Sequence, residues 1–162
     1  MHEVVLGIGD LDASNDPSKV LKTYALGSCI AIVLYDRSSQ TGGMVHIALS
    51  DSKVNEEKSK TKPGYFVDTA IPVLLKKMQK LSPQIDVKKV AVKLIGGASI
   101  LKEGNFFNIG ENNIISAKQL LKHFGLPMPQ EDTGSDISRT VTLYLDTGKT
   151  IVSNAEKGKW EL

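Results

Sequence analysis

Cysteine is almost absent from this sequence, since Cys29 is the only one in 162 residues. A lone cysteine excludes an intrachain disulfide and a thiolate-rich metal site, and it suits a reducing compartment. We therefore expect a cytoplasmic protein whose single thiol is free, and the reactivity of that thiol becomes the first question about function.

An excess of charge of one sign and long apolar segments are also lacking. The formal net charge is +2, so the composition gives no argument for a nucleic-acid partner. No apolar stretch approaches the length that spans a bilayer, and the first residues show no secretory pattern. The length and an apolar content of 41% instead predict one domain over residues 1–162, with a core that needs no disulfide.

The apolar pattern predicts many strands and two helices, a mixture typical of the α+β class. Strands are expected at residues 3–9, 20–24, 30–35, 43–49, 88–95, 140–145 and 149–153. The helices are expected to begin at Asp68 and Ser116, each suited to an N-cap, with Pro72 in the first turn of the first helix. Residues 50–63 contain one apolar residue and are expected to form a mobile surface loop.

The stretch around the cysteine contains the parts of a nucleophilic hydrolase. Cys29 follows a Gly27-Ser28 step, Thr23 lies six residues before it, and His46 lies seventeen residues after it. A thiol, an imidazole and a hydroxyl can serve as nucleophile, base and orienting group. The N–H groups near Gly27 and Ser28 can converge on an oxyanion. An imidazole beside the thiol predicts that Cys29 is accessible and has a lowered pKa.

Each of these residues also has a purely structural interpretation. A cysteine or a histidine on an apolar strand is often a core residue, and Thr23 alone is an ordinary strand residue. Asp36 or Asp51 would stabilise an imidazolium better than a hydroxyl does. The residues alone leave these alternatives open.

Hairpin geometry sets a further condition on the thiol and the imidazole. A hairpin closed by residues 36–42 places His46 opposite Ile32, with Cys29 about 10 Å away along the strand. A contact between them then requires a bulge that shifts the register, strands that are not direct neighbours, or a bend at Gly27-Ser28.

A set of short motifs extends over most of the chain. The strongest are Ala25-Leu-Gly-Ser-Cys29, Leu34-Tyr-Asp36 and Gly42-Gly-Met-Val-His46. Weaker ones are Asp68-Thr-Ala-Ile71, Gly96-Gly-Ala98, Ile109-Gly110, Asp132-Thr-Gly134 and Arg139-Thr140. In these motifs the sequence resembles the CheD family of bacterial chemoreceptor glutamine deamidases. It departs from the usual family pattern at Asn112, Ser135 and Ser138.

The resemblance implies a fold, a set of roles and a reaction. The implied fold has two packed mixed β-sheets with helices on the outer faces, as in cysteine hydrolases of the CheD and cytotoxic necrotizing factor type. Cys29 is the implied nucleophile, His46 the base and Thr23 the support of the histidine. The implied reaction converts glutamine side chains of methyl-accepting chemotaxis receptors to glutamate, releases ammonia, and needs no metal or organic cofactor.

Protein partners are implied as well. The receptors are the expected substrate, a CheC-type phosphatase is a second expected partner, and the membrane is approached only through receptors. Alternatively, the protein is mainly a non-catalytic adaptor that binds both partners and modulates the phosphatase, or a deamidase or transglutaminase of an unrelated protein. The expected rim is the loop Ser50–Lys62 with Tyr65 and Phe66, because exposed aromatic side chains suit a protein surface.

Overall fold

Two five-stranded sheets form the framework of the described residues, 1–99 and 108–162, in this computed structural model. The strands are β1 (His2–Leu6), β2 (Leu11–Ser14), β3 (Lys19–Leu26), β4 (Ile30–Asp36), β5 (Thr41–Ile47), β6 (Ala91–Gly96), β7 (Gln130–Thr133), β8 (Arg139–Tyr144), β9 (Thr150–Asn154) and β10 (Gly158–Glu161). The first sheet has the order β1-β3-β8-β9-β10 and the second β2-β5-β4-β6-β7. Both sheets are mixed, since β1–β3 and β6–β7 are parallel pairs, which confirms the predicted α+β class.

Strand β4 is buried on both faces because it lies in the middle of three packed layers. Ile30, Ile32 and Leu34 face a core that includes two helices, α2 (Val67–Leu81) and α3 (Ile109–His123). Ala31, Val33 and Tyr35 face a second core, between the two sheets. The uninterrupted apolar run of β4 follows from this double burial.

Helix α2 begins slightly earlier than the sequence predicts. Phe66, rather than Asp68, holds the N-cap position. The Asp68 carboxylate instead accepts hydrogen bonds from the N–H and the hydroxyl of Ser52, at 3.0 and 2.6 Å. Pro72 consequently lies in the second turn and not in the first. Within residues 1–99 and 108–162, no helix is both long and apolar enough to cross a membrane.

Two expectations about the other helices were wrong. Residues 50–63 are not a plain loop but contain α1 (Glu56–Thr61), whose first turn is capped by Asn55. Helix α1 buries no residue, so the apolar pattern gives no sign of it. Helix α3 begins at Ile109, before the expected Ser116, because the backbone at Gly110 packs directly on the carbonyl oxygens of Gly97 and Ala98.

Three strands were not predicted, namely β2, β7 and β10. Each has four residues, and each lies at an edge of its sheet. Short edge strands limit the association of a sheet with other chains, and four residues show too little apolar alternation to be recognised from sequence.

Candidate active site

The β4–β5 hairpin brings Cys29 and His46 to the same face of the second sheet. Ala31 pairs with His46, which shifts the register by one residue from the expected Ile32–His46 pair. Cys29 precedes Ala31 by two residues, and both pack against the core between the sheets. The two strands are direct neighbours, and Cys29 immediately precedes the first residue of β4, so continuing the ladder by one residue would place it diagonally across from His46.

Thr23 meets His46 from the opposite sheet. Thr23 Oγ1 lies 2.6 Å from Nδ1 of His46 and 2.7 Å from the carbonyl oxygen of Leu6. The carbonyl can only accept, so the single hydroxyl proton is donated to Leu6 and the hydroxyl oxygen accepts from Nδ1–H. His46 therefore holds its proton on Nδ1 and its lone pair on Nε2.

The remaining ring nitrogen of His46 is buried and free. The residue is 3% exposed, and Nε2 has no hydrogen-bond partner among the described residues. A buried acceptor without a partner costs about 1–3 kcal/mol, so such groups in folded proteins call for an explanation, which is often catalytic. Nε2 is the atom that can take a proton from a thiol or from water.

Burial favours the neutral form of both members of the candidate pair. Burial raises the pKa of the Cys29 thiol above its usual value, and its own backbone N–H opposes this only in part. Burial also lowers the pKa of the His46 imidazole, an effect that the Asp10 carboxylate partly offsets. The expectation of a lowered thiol pKa was therefore wrong, because desolvation outweighs any charge near the sulfur.

The backbone around Cys29 is anchored by three successive carbonyl groups. Gly27 accepts from the Ala98 N–H at 2.8 Å, and Cys29 accepts from the Gly97 N–H at 2.9 Å. Between them, Ser28 accepts from Nδ2 of Asn113 at 3.1 Å. The C=O and the N–H of a trans peptide unit point in opposite directions. The N–H groups of Ser28 and Cys29 are therefore turned away from Ala98 and Asn113.

The pair Gly96-Gly97 is part of the site and not only a tight turn. Both glycines have positive φ, 104° and 67°. A Cβ at Gly96 would lie 2.4 Å from the carbonyl oxygen of Cys29, so only glycine allows this approach of the two backbones. The diglycine at the end of a predicted strand was the available signal, but its neighbour could not be identified from the sequence.

Asp132 and Arg139 form an ion pair beside this glycine turn, in which Arg139 is buried and Asp132 is half-buried. The Arg139 side chain is 3% exposed, and its Nε donates to Asp132 Oδ1 at 3.0 Å. It also donates through Nη1 to the carbonyl oxygen of Gly134, whose N–H donates to that of Gly96. The ion pair therefore joins the two weaker motifs Asp132-Thr-Gly134 and Arg139-Thr140. In the described residues, no group of three or more His, Cys, Asp or Glu side chains is arranged to bind a metal ion.

The expected aromatic rim requires a correction. Phe66 is fully buried and packs edge-on against Tyr65, so it cannot present its ring to a partner. Tyr65 is half-buried, and the ammonium group of Lys58 lies 4.0 Å from the centre of its ring. The sequence could not show which of Tyr65 and Phe66 is exposed, because adjacent residues at the start of a helix face different environments and both are aromatic.

Comparison with known proteins assigns the chain to a family. A family described as CheD chemotactic sensory transduction matches residues 48–154. A protein of Syntrophotalea carbinolica, named probable chemoreceptor glutamine deamidase CheD, is 41% identical over 162 residues, the full length of both chains. The chain belongs to the CheD family. Proteins likewise named probable chemoreceptor glutamine deamidase CheD are 44% identical in Syntrophus aciditrophicus, over 96% of both chains, and 40% identical in Methanococcus maripaludis, over 90% of both.

The alignment to the full-length relative covers the candidate site, whereas the family match does not. The family match begins at residue 48 and lies after Thr23, Cys29 and His46, whereas the Syntrophotalea relative aligns over the whole chain and includes all three positions. The resemblance that the short motifs suggested is confirmed by both comparisons.

Proposed function

We propose that this CheD-family protein deamidates glutamine side chains of chemoreceptors, with Cys29 as the nucleophile and His46 as the base. The main support for this proposal is the hydrogen bond from His46 to Thr23, which leaves Nε2 unprotonated on the face that also carries Cys29. The relatives are named chemoreceptor glutamine deamidases, and this supports the choice of substrate.

Acylation of the thiol is the first half of the reaction. Nε2 of His46 accepts the thiol proton as the sulfur attacks the carboxamide carbon of glutamine, and a C–S bond forms. The negative charge moves to the carbonyl oxygen, where the N–H groups of Ser28 and Cys29 stabilise it. The imidazolium then protonates the amide nitrogen, the C–N bond breaks, and ammonia leaves behind a thioester.

Hydrolysis of the thioester completes the cycle. Nε2 of His46 takes a proton from a water molecule, the resulting hydroxide attacks the thioester carbon, and the C–S bond breaks. The imidazolium returns its proton to the departing sulfur, which regenerates the thiol and the neutral His46, and the receptor side chain leaves as glutamate. Throughout, the Thr23 hydroxyl holds Nδ1–H, so the imidazole keeps the tautomer and the orientation that both steps require.

Mass spectrometry of a receptor fragment tests this proposal. A purified cytoplasmic fragment of a chemoreceptor from the organism that carries this chain is incubated with wild type, Cys29→Ala and His46→Ala. Wild type should convert specific glutamines to glutamate, and each variant should lose this activity, because the two groups act as one unit. His123→Ala is the matched control, since His123 is exposed at the end of α3 and should be fully active. Conversion by Cys29→Ala at the wild-type rate would refute the mechanism.

The proposal includes docking of two protein partners near the thiol. The receptor helix must reach Cys29, and the family resemblance adds a CheC-type phosphatase that competes for the same region. Tyr65 is the proposed aromatic anchor, because its ring is half-exposed and lies against the Lys58 ammonium. Tyr65→Ala should weaken both interactions in calorimetry, whereas Cys29→Ala should leave phosphatase binding unchanged. Binding without any deamidation by wild type would favour the adaptor alternative.

A further inference from the structure

Asn113 connects the two segments that carry the candidate catalytic pair. Its side chain is fully buried, and Nδ2 donates to the carbonyl oxygens of Ser28 and Ala48 at 3.1 and 3.0 Å. Ser28 directly precedes the nucleophile, and Ala48 lies two residues after His46. One planar amide on α3 therefore spans both segments.

We propose that Asn113 is a positioning residue that fixes Cys29 relative to His46 and aims the Cys29 N–H at the oxyanion. This inference rests on the proposed function. The Ser28 carbonyl and the Cys29 N–H belong to the same trans peptide unit and point in opposite directions. When Asn113 fixes the Ser28 carbonyl, it also fixes the Cys29 N–H, which points away from Asn113. In the proposed reaction, the carbonyl oxygen of the substrate lies on that side of the loop.

The hydrogen-bond partners at position 113 suit an asparagine side chain and not an aspartate. Two carbonyl oxygens require two N–H donors, and the Ser50 hydroxyl donates to Oδ1 at 3.0 Å, which fixes the orientation of the amide. Aspartate has the same shape, but it would place a negative charge against the carbonyls of Ser28 and Ala48. The other two anchors of the loop, at Gly97 and Ala98, are backbone groups. Asn113 is consequently the anchor that a side-chain substitution can remove.

Steady-state kinetics on the chemoreceptor fragment test this role with three variants. Asn113→Asp removes the donors, and Ser50→Ala removes the group that orients the amide. Asn154→Asp is the matched control, because Asn154 also donates to a backbone carbonyl, that of Ser138 at 2.8 Å, but lies at the end of β9. Iodoacetamide labelling of Cys29 at alkaline pH, where the thiolate forms without help, reports whether the thiol remains accessible.

Asn113→Asp should lower kcat by about 10²- to 10³-fold, the range for loss of one oxyanion donor, with KM changed by less than about twofold. Labelling at alkaline pH should stay within about twofold of wild type. A kcat for Asn113→Asp equal to that of Asn154→Asp, or a rise in KM alone, would overturn the role.

Ser50→Ala keeps the test decisive if Asn113→Asp does not fold. It should lower kcat by about three- to tenfold, as expected for one neutral hydrogen bond, and a wild-type kcat would overturn the role. Failure of the proposed function has a different signature, because wild type itself would then leave the receptor glutamines unchanged, as Cys29→Ala does.

Discussion

Replacing Thr23 by valine removes one hydroxyl from the candidate site and keeps the shape of the side chain. The substitution deletes two buried hydrogen bonds, to the Leu6 carbonyl and to Nδ1–H of His46. Both groups are buried, since Leu6 is 5% and His46 3% exposed. Each buried group left without a partner costs about 1–3 kcal/mol, so the free energy of unfolding should fall by about 2–6 kcal/mol.

The effect on the reaction follows from the charge on His46. The imidazole becomes positively charged when it takes the thiol proton, and a hydrogen bond from a charged donor contributes about 1.5–3 kcal/mol. Without the Thr23 oxygen, this stabilisation of the charged form is lost. Since 1.36 kcal/mol corresponds to a factor of ten in rate, kcat should fall by about 10- to 150-fold, with KM unchanged.

Thr41→Val is the matched control for Thr23→Val. Thr41 is also fully buried in a strand, and its hydroxyl lies 2.7 Å from the Ser82 hydroxyl. Its loss should lower stability and leave kcat unchanged in the glutamine deamidation assay, run well below both unfolding temperatures. Equal kcat values for the two folded variants would refute the role of Thr23. A loss as large as that of Cys29→Ala would instead place Thr23 in the bond-forming steps.

Three further outcomes are expected. Because the pKa of Cys29 is raised and that of His46 lowered in the free protein, iodoacetamide labelling of Cys29 should accelerate only at alkaline pH, and the acid limb of kcat/KM should lie below pH 6.5. Fast labelling at pH 5–6 would contradict this. Thr150→Val should raise the free energy of unfolding in urea by about 1–2 kcal/mol, since the buried Thr150 hydroxyl has no partner among the described residues. Asp132→Asn should lower it by about 1.5–3 kcal/mol, the range for a hydrogen bond to a charged group, because it removes the charge that faces the buried Arg139, whereas Asp136→Asn at an exposed site should change it little.

Most of the strands that the sequence predicted have buried side chains, although β1, which was also predicted, is largely exposed. The apolar run of β4 and the hairpin of β8 and β9 are present close to their expected bounds. Strands β2, β7 and β10 and helix α1 were not predicted, because each is short and, apart from Leu11, Ala13 and Trp160, their side chains take no part in the two cores. The start of α3 depends on a backbone contact at Gly110, and such a contact between distant segments leaves no local pattern.

The site was predictable in its residue types but not in its geometry. The motifs around Cys29 and His46 gave the candidate pair, and the contact of Thr23 with the imidazole is present as expected. The register depends on which residues close the hairpin, and a change of one residue decides which face a side chain occupies. Asn113 could not be singled out, since its partners are backbone carbonyls that are distant in sequence.

A hydroxyl in the place of a carboxylate has a consequence for the resting state of the site. A carboxylate beside Nδ1 would raise the pKa of His46 and favour a thiolate–imidazolium pair, which is reactive towards oxidants and alkylating agents. The neutral Thr23 leaves burial as the dominant influence, so the thiol and the imidazole both stay uncharged. The thiolate would then form only as a substrate carbonyl arrives to share the charge with backbone N–H donors. In such a site the resting thiol is a weak nucleophile, but the reaction becomes selective. A carboxamide held in the cleft places its carbonyl oxygen against the backbone N–H donors, whereas a free small molecule does not.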